Sequence, residues 1–263
     1  MSAALWAAGD AYEPFMGRWS RLVAREFVAW LSLSPGSRWL DVGCGTGALS
    51  QAILEAASPG FVRGIDPSAA FVEFARSHVT GAEFSVGDAQ GLDVGDSSFD
   101  AAVAGLVLNH LPDPARAATE LRRVIATGGT AAAYVWDYAG EMQMLRRFWD
   151  ASVALDPSAI EKDQGARMPL CKPGPLEELF ARAGLVDVEV ARIDVPTVFK
   201  DFDDYWTPFL GGQAPAPAYA VSLDEDRRTA LRERLRETLP VEPDGSVHLL
   251  ARAWAVRGRR AVA

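Results

Sequence analysis

WLDVGCGTGALS, residues 39–50, is the most informative stretch of the sequence, because in it a short apolar run passes directly into three closely spaced glycines. The glycines are Gly43, Gly45 and Gly47, and an apolar helical pattern follows them. Glycine permits a tight turn and close approach of a ligand to the backbone, and the start of a helix presents unpaired N–H groups. The stretch therefore predicts a strand, a ligand-binding loop and a helix; a purely structural turn is the alternative.

Outward from this loop, strand-like apolar segments alternate with helical ones. After the first strand they lie near residues 61–65, 82–86, 99–107, 129–136, 186–195 and 247–256. An amphipathic helix over residues 19–31 precedes them all. Such alternation gives right-handed crossovers and a parallel sheet covered by helices. We predict an α/β fold, with a Rossmann-like, seven-stranded, mostly parallel sheet and helices on both faces.

Two segments interrupt this alternation, approximately residues 138–175 and 196–240. The first is rich in Met, Trp, Phe and Pro, and the second ends in a polar helical stretch. Both follow strands, and ligands of open α/β sheets bind outside the carboxyl ends of the strands. We predict helical cap insertions over a pocket in a single domain spanning residues 1–263, with surface elaboration as the alternative.

Composition narrows the classes of function. The 263 residues are 49% hydrophobic and 23% charged, as in ordinary globular domains. The formal net charge of −9 argues against nucleic-acid binding, and two cysteines are too few for a Cys-rich metal site. No run of about 18 uncharged apolar residues and no secretory pattern is visible. We predict a cytoplasmic protein that inserts in no membrane and has a small molecule as its partner, without predicting an oligomeric state.

Carboxylates follow two further strands. Asp66, in GIDPS, lies about 20 residues beyond the glycines, where a carboxylate can accept hydrogen bonds from a ribose diol. Alternatively, Asp66 caps the following helix. Asp88 follows the third strand, and its carboxylate can accept a hydrogen bond from the exocyclic amine of adenine. The backbone N–H of Ala89 can donate to a ring nitrogen of the same base. Taken alone, the sequence GDA indicates only a turn. Together these residues indicate a site for an adenine nucleoside.

Four stretches now point to one family: DVGCGTG, GIDPS, GDAQGLDVGDSSFD and NHLPDP. In this order and spacing they resemble the class I S-adenosylmethionine-dependent methyltransferases, especially the UbiE-like methyltransferase type 11 family. The resemblance covers about residues 36–137. It implies an enzyme that uses S-adenosyl-L-methionine, releases S-adenosyl-L-homocysteine and needs no metal.

At the methionine end of this cofactor, the resemblance implies that Gly43, Cys44 and Gly45 line the site, with Asp41 near the ammonium group. The chemistry agrees, because Asp41 is a poor neighbour for a pyrophosphate but suits a sulfonium and an ammonium. The third glycine, Gly47, also falls one place earlier than in the dinucleotide fingerprint G-x-G-x-x-G. An NAD(P)-dependent oxidoreductase is therefore the weaker alternative.

At the adenosine end, the resemblance implies that Asp66 holds the ribose hydroxyls and that Pro67 flanks the adenine. Asp88 and Ala89 would address the edge of the base, and Leu106 would lie beside the cofactor where the fourth strand ends. This set of strand-end residues forms the core of the predicted site.

A lead-in such as YEPFMGRWS folds over the cofactor in related proteins, which makes Tyr12 and Arg18 candidates for binding its carboxylate end. Arg18 is equally consistent with a solvated residue at the start of a helix. These two residues are the only part of the predicted cofactor site that precedes the first strand.

The acceptor side is predicted from residue types near the strand ends. His110 is the candidate general base, since histidine titrates near neutrality, and a structural histidine is the alternative. Asn109, Trp136, Tyr138 and Trp206 are candidates for binding the acceptor. Their aromatic character suggests a small apolar or aromatic molecule, methylated by direct in-line transfer. A protein that binds the cofactor for regulation without turnover is the other alternative.

Overall fold

The computed structural model describes residues 13–212 and 214–262. Within these ranges, seven strands form one sheet. The strands are β1 (Arg38–Val42), β2 (Phe61–Asp66), β3 (Glu83–Val86), β4 (Phe99–Gly105), β5 (Ile125–Trp136), β6 (Val186–Phe199) and β7 (Val247–Arg259). The α-helices are α1 (Arg18–Leu31), α2 (Ala48–Ala56), α3 (Ala69–His78), α4 (Pro114–Val124), α5 (Gln143–Leu155), α6 (Gln164–Arg167), α7 (Pro173–Arg182), α8 (Phe202–Trp206), α9 (Pro215–Ser222) and α10 (Glu225–Thr238). No helix in the described ranges has the length and apolarity needed to cross a membrane.

The strands lie in the order β3-β2-β1-β4-β5-β7-β6. The pairs β1 with β2, β2 with β3, β1 with β4 and β4 with β5 are parallel. The N–H of Arg260 donates to the carbonyl of Gly129, and that of Asp137 donates to Arg252, so β7 runs antiparallel to β5. The chain adds strands on one side of β1 and then returns to the other side at β4. In open α/β sheets this reversal marks the ligand-binding crevice at the carboxyl ends of the strands.

The central strands form the core because their residues are apolar or small. Trp39 and Leu40 in β1 are fully buried, and so are the alanines at residues 101–102 in β4 and 131–133 in β5. Small side chains let helices approach a sheet closely, and α4 packs on β4 with Leu121 buried. The predicted α/β fold with its mostly parallel sheet is confirmed.

The chain divides into two compact units. The sheet unit comprises residues 20–135, 170–193 and 253–262, and the helical unit comprises residues 13–19, 136–169, 194–212 and 214–252. The sheet unit contains β1 to β4 and most of β5. The helical unit contains α5, α6 and α8 to α10, so helices are present in both segments predicted as insertions. That they cap a pocket stays a prediction.

The helical unit has its own core, built from aromatic rings. Phe148 stacks on Phe209 with ring centroids 4.5 Å apart, and Phe148 meets Trp149 edge-on at 5.2 Å. Arg146 pairs with Asp163 at 2.7 Å, and the carboxylate of Asp163 is almost fully buried. Offset or edge-on rings of this kind stabilise a core beyond their buried area.

Candidate functional site

The glycine turn between β1 and α2 is bound to the end of β2. The N–H groups of Gly43 and Cys44 both donate to the carbonyl of Ile65, at 2.7 and 3.1 Å. Gly43 and Gly45 have φ of +73° and +53°, a conformation that glycine adopts without strain. A side chain on Gly43 would collide with Val107, whereas one on Gly45 would meet no atom of the described residues within 4 Å. Gly43 is therefore needed for packing, and the open side of the turn is at Gly45.

Asp66 ties this turn to the start of α3. Its Oδ2 accepts from the N–H of Gly45 at 3.0 Å, and its Oδ1 accepts from the N–H of Ser68 at 2.8 Å. The cap of α3 is Ser68, whose hydroxyl accepts from the N–H of Phe71 at 3.4 Å, so Asp66 is not the capping residue. Burial raises the pKa of Asp66. A carboxylate has about four acceptor positions, and those that Asp66 does not use suit a ribose diol.

Asp41 is a buried acceptor that is only partly satisfied. It is 1% exposed, and its Oδ2 accepts from the hydroxyl of Ser50 at 2.7 Å. Its Oδ1 is buried and makes no hydrogen bond to any described residue. Burial raises the pKa of Asp41 to about 7, and the charge of Asp66 raises it further. Because buried polar groups are nearly always paired, the cationic ammonium of the implied cofactor fits this position.

The loop after β3 carries the third carboxylate. Asp88 is exposed, its Oδ1 accepts from the N–H of Gln90 at 2.9 Å, and Ala89 beside it is buried. The side chain of Gln90 accepts from the N–H of Asp113 at 3.0 Å, which links this loop to the start of α4. Pro67, which follows Asp66, is exposed. These contacts fix the loop and leave the Asp88 carboxylate accessible.

Leu106, directly after β4, has φ of +62°. Its N–H donates to the carbonyl of Tyr134 at 2.8 Å. A left-handed conformation strains a leucine by about 1–3 kcal/mol, and such strain concentrates at functional sites. The next residue, Val107, is the one that packs on Gly43. The backbone at Leu106 is thus fitted to the glycine turn.

A short 3₁₀ turn, Leu108–His110, follows. Asn109 Nδ2 lies 3.1 Å from His110 Nε2. Burial lowers the pKa of His110 to about 4, so its imidazole is neutral at physiological pH. His110 is therefore able to accept a proton, although its basicity is weak.

The remaining predicted residues belong to the helical unit or lie outside the described ranges. Trp136, Tyr138 and Trp206 are all at least nine-tenths buried in the helical unit. Arg18 belongs to the same unit, where it pairs with a carboxylate of α8. Tyr12 lies outside the described residues.

The structure therefore brings together, in the sheet unit, the glycine turn and residues at or directly after the ends of β1, β2, β3 and β4. Sequence reasoning missed Ser50 and Val107, although both have a contact in this site. The signal for Ser50 is a hydroxyl in the first turn of the helix that directly follows the loop. Val107 has no signal of its own. Among the described residues, no group of three or more His, Cys, Asp or Glu side chains is arranged to hold a metal ion.

Comparison with known proteins identifies a domain in the same part of the chain. Residues 40–133, which carry the glycine turn and all three strand-end aspartates, match a family model described as a methyltransferase domain. This match and the similarity to curated UbiE-like quinone methyltransferases support a class I S-adenosylmethionine-dependent methyltransferase of the type 11 kind.

Individual relatives differ in how much of the chain they cover. The 2-methyl-6-phytyl-1,4-hydroquinone methyltransferase of Synechocystis is 34% identical over 189 residues, which is 69% of this chain and 57% of that protein. The trans-aconitate 2-methyltransferase of Rhizobium etli is 28% identical over 251 residues, 93% of this chain and 94% of that protein. The chain spans only 30% and 57% of the length of the first two curated relatives it matches.

Among solved structures, the YcgJ protein of Bacillus subtilis superimposes with a TM-score of 0.60 at 19% identity. The match covers 92% of this chain and 99% of that protein. At this identity the likeness concerns the fold alone, which is the Rossmann-like α/β fold described above.

Proposed function

We propose that this protein transfers a methyl group from S-adenosyl-L-methionine to a small molecule. The observation that carries the proposal is the pair of buried carboxylates, Asp41 and Asp66, at the glycine turn. Asp41 has an acceptor atom without a partner in the described structure, and both groups have raised pKa values. A cation is the ligand that offsets the cost of ionising buried carboxylates. S-adenosylmethionine carries two cationic groups.

The proposed binding roles follow the order of the strands. Asp41 takes the ammonium, and the open backbone at residues 43–45, Cys44 included, lines the methionine part. Asp66 accepts from the ribose hydroxyls and Pro67 flanks the base. Asp88 and Ala89 read the adenine edge. The pyrophosphate of a dinucleotide would be repelled by Asp41, so an NAD(P)-dependent oxidoreductase is not favoured.

When bound, the cofactor supplies a methyl group already activated by a sulfonium. The task left to the chain is to hold the acceptor in line and to exclude water, which supplies much of the rate enhancement in such transfers. Leu106 would pack beside the cofactor, and Asn109 would orient the acceptor. His110, neutral and weakly basic, suits an acceptor that is acidic or already deprotonated. We expect no metal requirement.

For the acceptor we propose a small molecule with an apolar or aromatic body. Support comes from the aromatic residues of the helical unit, among which Trp136, Tyr138 and Trp206 are the candidates for contact. The Synechocystis and Rhizobium relatives are both named for small molecules. Apolar pockets with a few polar groups are the usual form of such sites.

The test is a transfer assay with methyl-labelled S-adenosylmethionine and fractions of a metabolite extract. We expect label in a specific fraction, and none when Gly45→Ala, which fills the open side of the turn, replaces the native protein. Binding of S-adenosylhomocysteine without label in any fraction would contradict enzymatic turnover and favour a regulatory protein.

A further inference from the structure

The loop after β3 contains a glutamine whose side-chain amide has a single orientation that satisfies both of its ends. Gln90 Oε1 accepts from the N–H of Asp113 at 3.0 Å. Because a backbone N–H pairs only with an acceptor, the other end of the amide is the Nε2 group, which carries two donors and no acceptor. This group donates to Asp88 Oδ1 at 3.3 Å. The side chain of Gln90 therefore presents a donor, and not an acceptor, to the Asp88 carboxylate.

The two oxygens of Asp88 differ in how they are paired. Oδ1 accepts twice, from the backbone N–H of Gln90 at 2.9 Å and from its Nε2. Oδ2 accepts no hydrogen bond from the described residues. Asp88 is exposed, so its carboxylate is accessible to a ligand. One oxygen is thus held in place, and the other is left for a donor on a ligand.

Asp88 lies beside the residue proposed for the ribose. The N–H of Gly87 donates to the carbonyl of Asp66 at 3.1 Å, and Val86 is the register partner of Asp66 across the parallel strands β2 and β3. The ends of these two strands are therefore tied together directly before Asp88. In an adenosine ligand the base is joined to the ribose, and its exocyclic amine is a donor on the edge of the base. A carboxylate oxygen next to the ribose site is a suitable acceptor for that amine.

The loop does not depend on Gln90 alone for its position. Glu120 Oε2 accepts from the N–H of Leu92 at 2.8 Å, and Arg123 Nη2 donates to the carbonyl of Leu92 at 2.9 Å. Glu120 and Arg123 both lie on α4 and pair with each other at 2.7 Å. These contacts bind the chain directly after Gln90 to α4 without using its side chain. Among the described residues, only Gln90 donates a side-chain hydrogen bond to Asp88.

We propose that Gln90 makes the cofactor site selective for the exocyclic amine of adenine. The inference rests on the proposed function and deepens it. Asp88 would contact the base, whereas Gln90 is a positioning residue that acts through Asp88. By donating to Oδ1, Gln90 fixes the carboxylate with Oδ2 free, and a fixed acceptor loses little entropy when the ligand binds. A base without the amine leaves this acceptor unpaired, which is a general basis of strong discrimination between ligands.

The test compares two ligands by calorimetric titration of the full chain. One is S-adenosylhomocysteine, and the other is its analogue with purine as the base, which lacks the exocyclic amine. We expect the native protein to bind S-adenosylhomocysteine at least about tenfold more tightly, the worth of a hydrogen bond to a charged group. Asp88→Ala, which has no carboxylate at this position, should bind both ligands equally.

Two variants of Gln90 separate positioning from a merely structural role. Gln90→Glu keeps an acceptor for the N–H of Asp113 but places a negative charge against Asp88, and like charges repel. Gln90→Met keeps the approximate length of the side chain and has neither the amide donor nor its oxygen. In both variants we expect the preference for the amine to fall towards that of Asp88→Ala. Urea unfolding of the same preparations reports whether the variants are folded.

The outcomes for the proposal and for the proposed function are distinct. A folded Gln90→Glu or Gln90→Met protein with the native preference would show that Gln90 only ties the loop to α4, and would overturn the proposal. Equal binding of both ligands by the native protein would overturn it too, because Asp88 then does not contact the amine. A native protein that binds neither ligand would contradict the proposed function itself, and the inference with it.

Discussion

The side chain of Asp41 faces two opposed effects. Burial favours its neutral form, and the hydrogen bond from Ser50 favours its charged form. With a pKa of about 7, the carboxyl is protonated in roughly half of the molecules at neutral pH. A cationic group beside Oδ1 would shift this balance to the carboxylate. Cofactor binding and proton release are therefore coupled in the proposed site.

This coupling predicts a pH-dependent affinity. From about pH 6 to about pH 8 the affinity for S-adenosylhomocysteine should rise, because less free energy is needed to remove the proton from Asp41. Asp41→Asn should bind more weakly, and without this dependence on pH. Calorimetric titration at several pH values measures both effects. A native protein whose affinity is flat over this range would contradict the role of Asp41.

The same carboxyl predicts how stability depends on pH. Its pKa in the folded protein, about 7, lies above the ordinary value of 3.8, so the folded state binds the proton more tightly than the unfolded state. Its contribution to stability is complete below about pH 4 and is lost as the pH rises through about 7, by on the order of a few kcal/mol. Urea unfolding of the ligand-free protein should show this loss, and Asp41→Asn should lack it. Parallel pH profiles for the two proteins would refute the expectation.

Asp66 combines a structural role and a proposed binding role, which one substitution does not separate. Asp66→Ala should weaken S-adenosylhomocysteine binding by at least about tenfold, the worth of a hydrogen bond to a charged group. The loss of its bonds to Gly45 and Ser68 would also contribute. The 2′-deoxy analogue of the ligand isolates the ribose contact: the native protein should prefer the complete ribose, and Asp66→Ala should not discriminate. Equal discrimination by both proteins would reject the ribose role.

In the turn between β1 and α2, two glycines have different roles. A side chain on Gly43 would meet Val107 and one on Gly45 would meet none of residues 13–212 and 214–262 within 4 Å, although both glycines have positive φ. Gly43 is required for packing against Val107, whether or not a ligand is bound. Gly45 is required only if a ligand approaches there.

This division gives a matched pair of variants. Gly43→Ala should lower the free energy of unfolding by more than about 2 kcal/mol, since a collision adds to the backbone strain. Gly45→Ala should cost only about 1–2 kcal/mol, from strain alone, yet abolish detectable binding of S-adenosylhomocysteine. Denaturant unfolding and calorimetry on the same preparations measure both quantities. Normal ligand binding by Gly45→Ala would show that the cofactor does not lie against the turn.

Sequence patterns predict the end of a helix or strand accurately where burial determines that end. They predict it inaccurately where the backbone dihedral angle of one residue determines it. Helix α1 was expected over residues 19–31 and spans Arg18–Leu31, because its apolar face is continuous. The fourth strand was expected over residues 99–107 but ends at Gly105. The difference arises at Leu106, whose positive φ ends the strand. An apolar run gives no information on the sign of φ.

At the scale of the whole molecule, most of the fold is predictable because strand-like and helical segments alternate along the sequence. Two carboxylates of the site lie close in sequence to the glycine turn: Asp41 directly before it and Asp66 21 positions after Gly45. The division into two units and the antiparallel β7 depend on contacts between distant segments, such as Asp137 with Arg252. The pairing of Arg18 with Asp204, 186 positions away, is of the same kind. Such contacts have no periodic signature in one sequence.

Calorimetric titration of the full chain with S-adenosylhomocysteine and, separately, with NADH measures which cofactor the glycine turn binds. The arrangement of Asp41 and Asp66 at the glycine turn predicts saturable binding of S-adenosylhomocysteine at one site per chain and no binding of NADH. Binding of NADH alone, or of neither ligand by a folded protein, would contradict the proposed cofactor site.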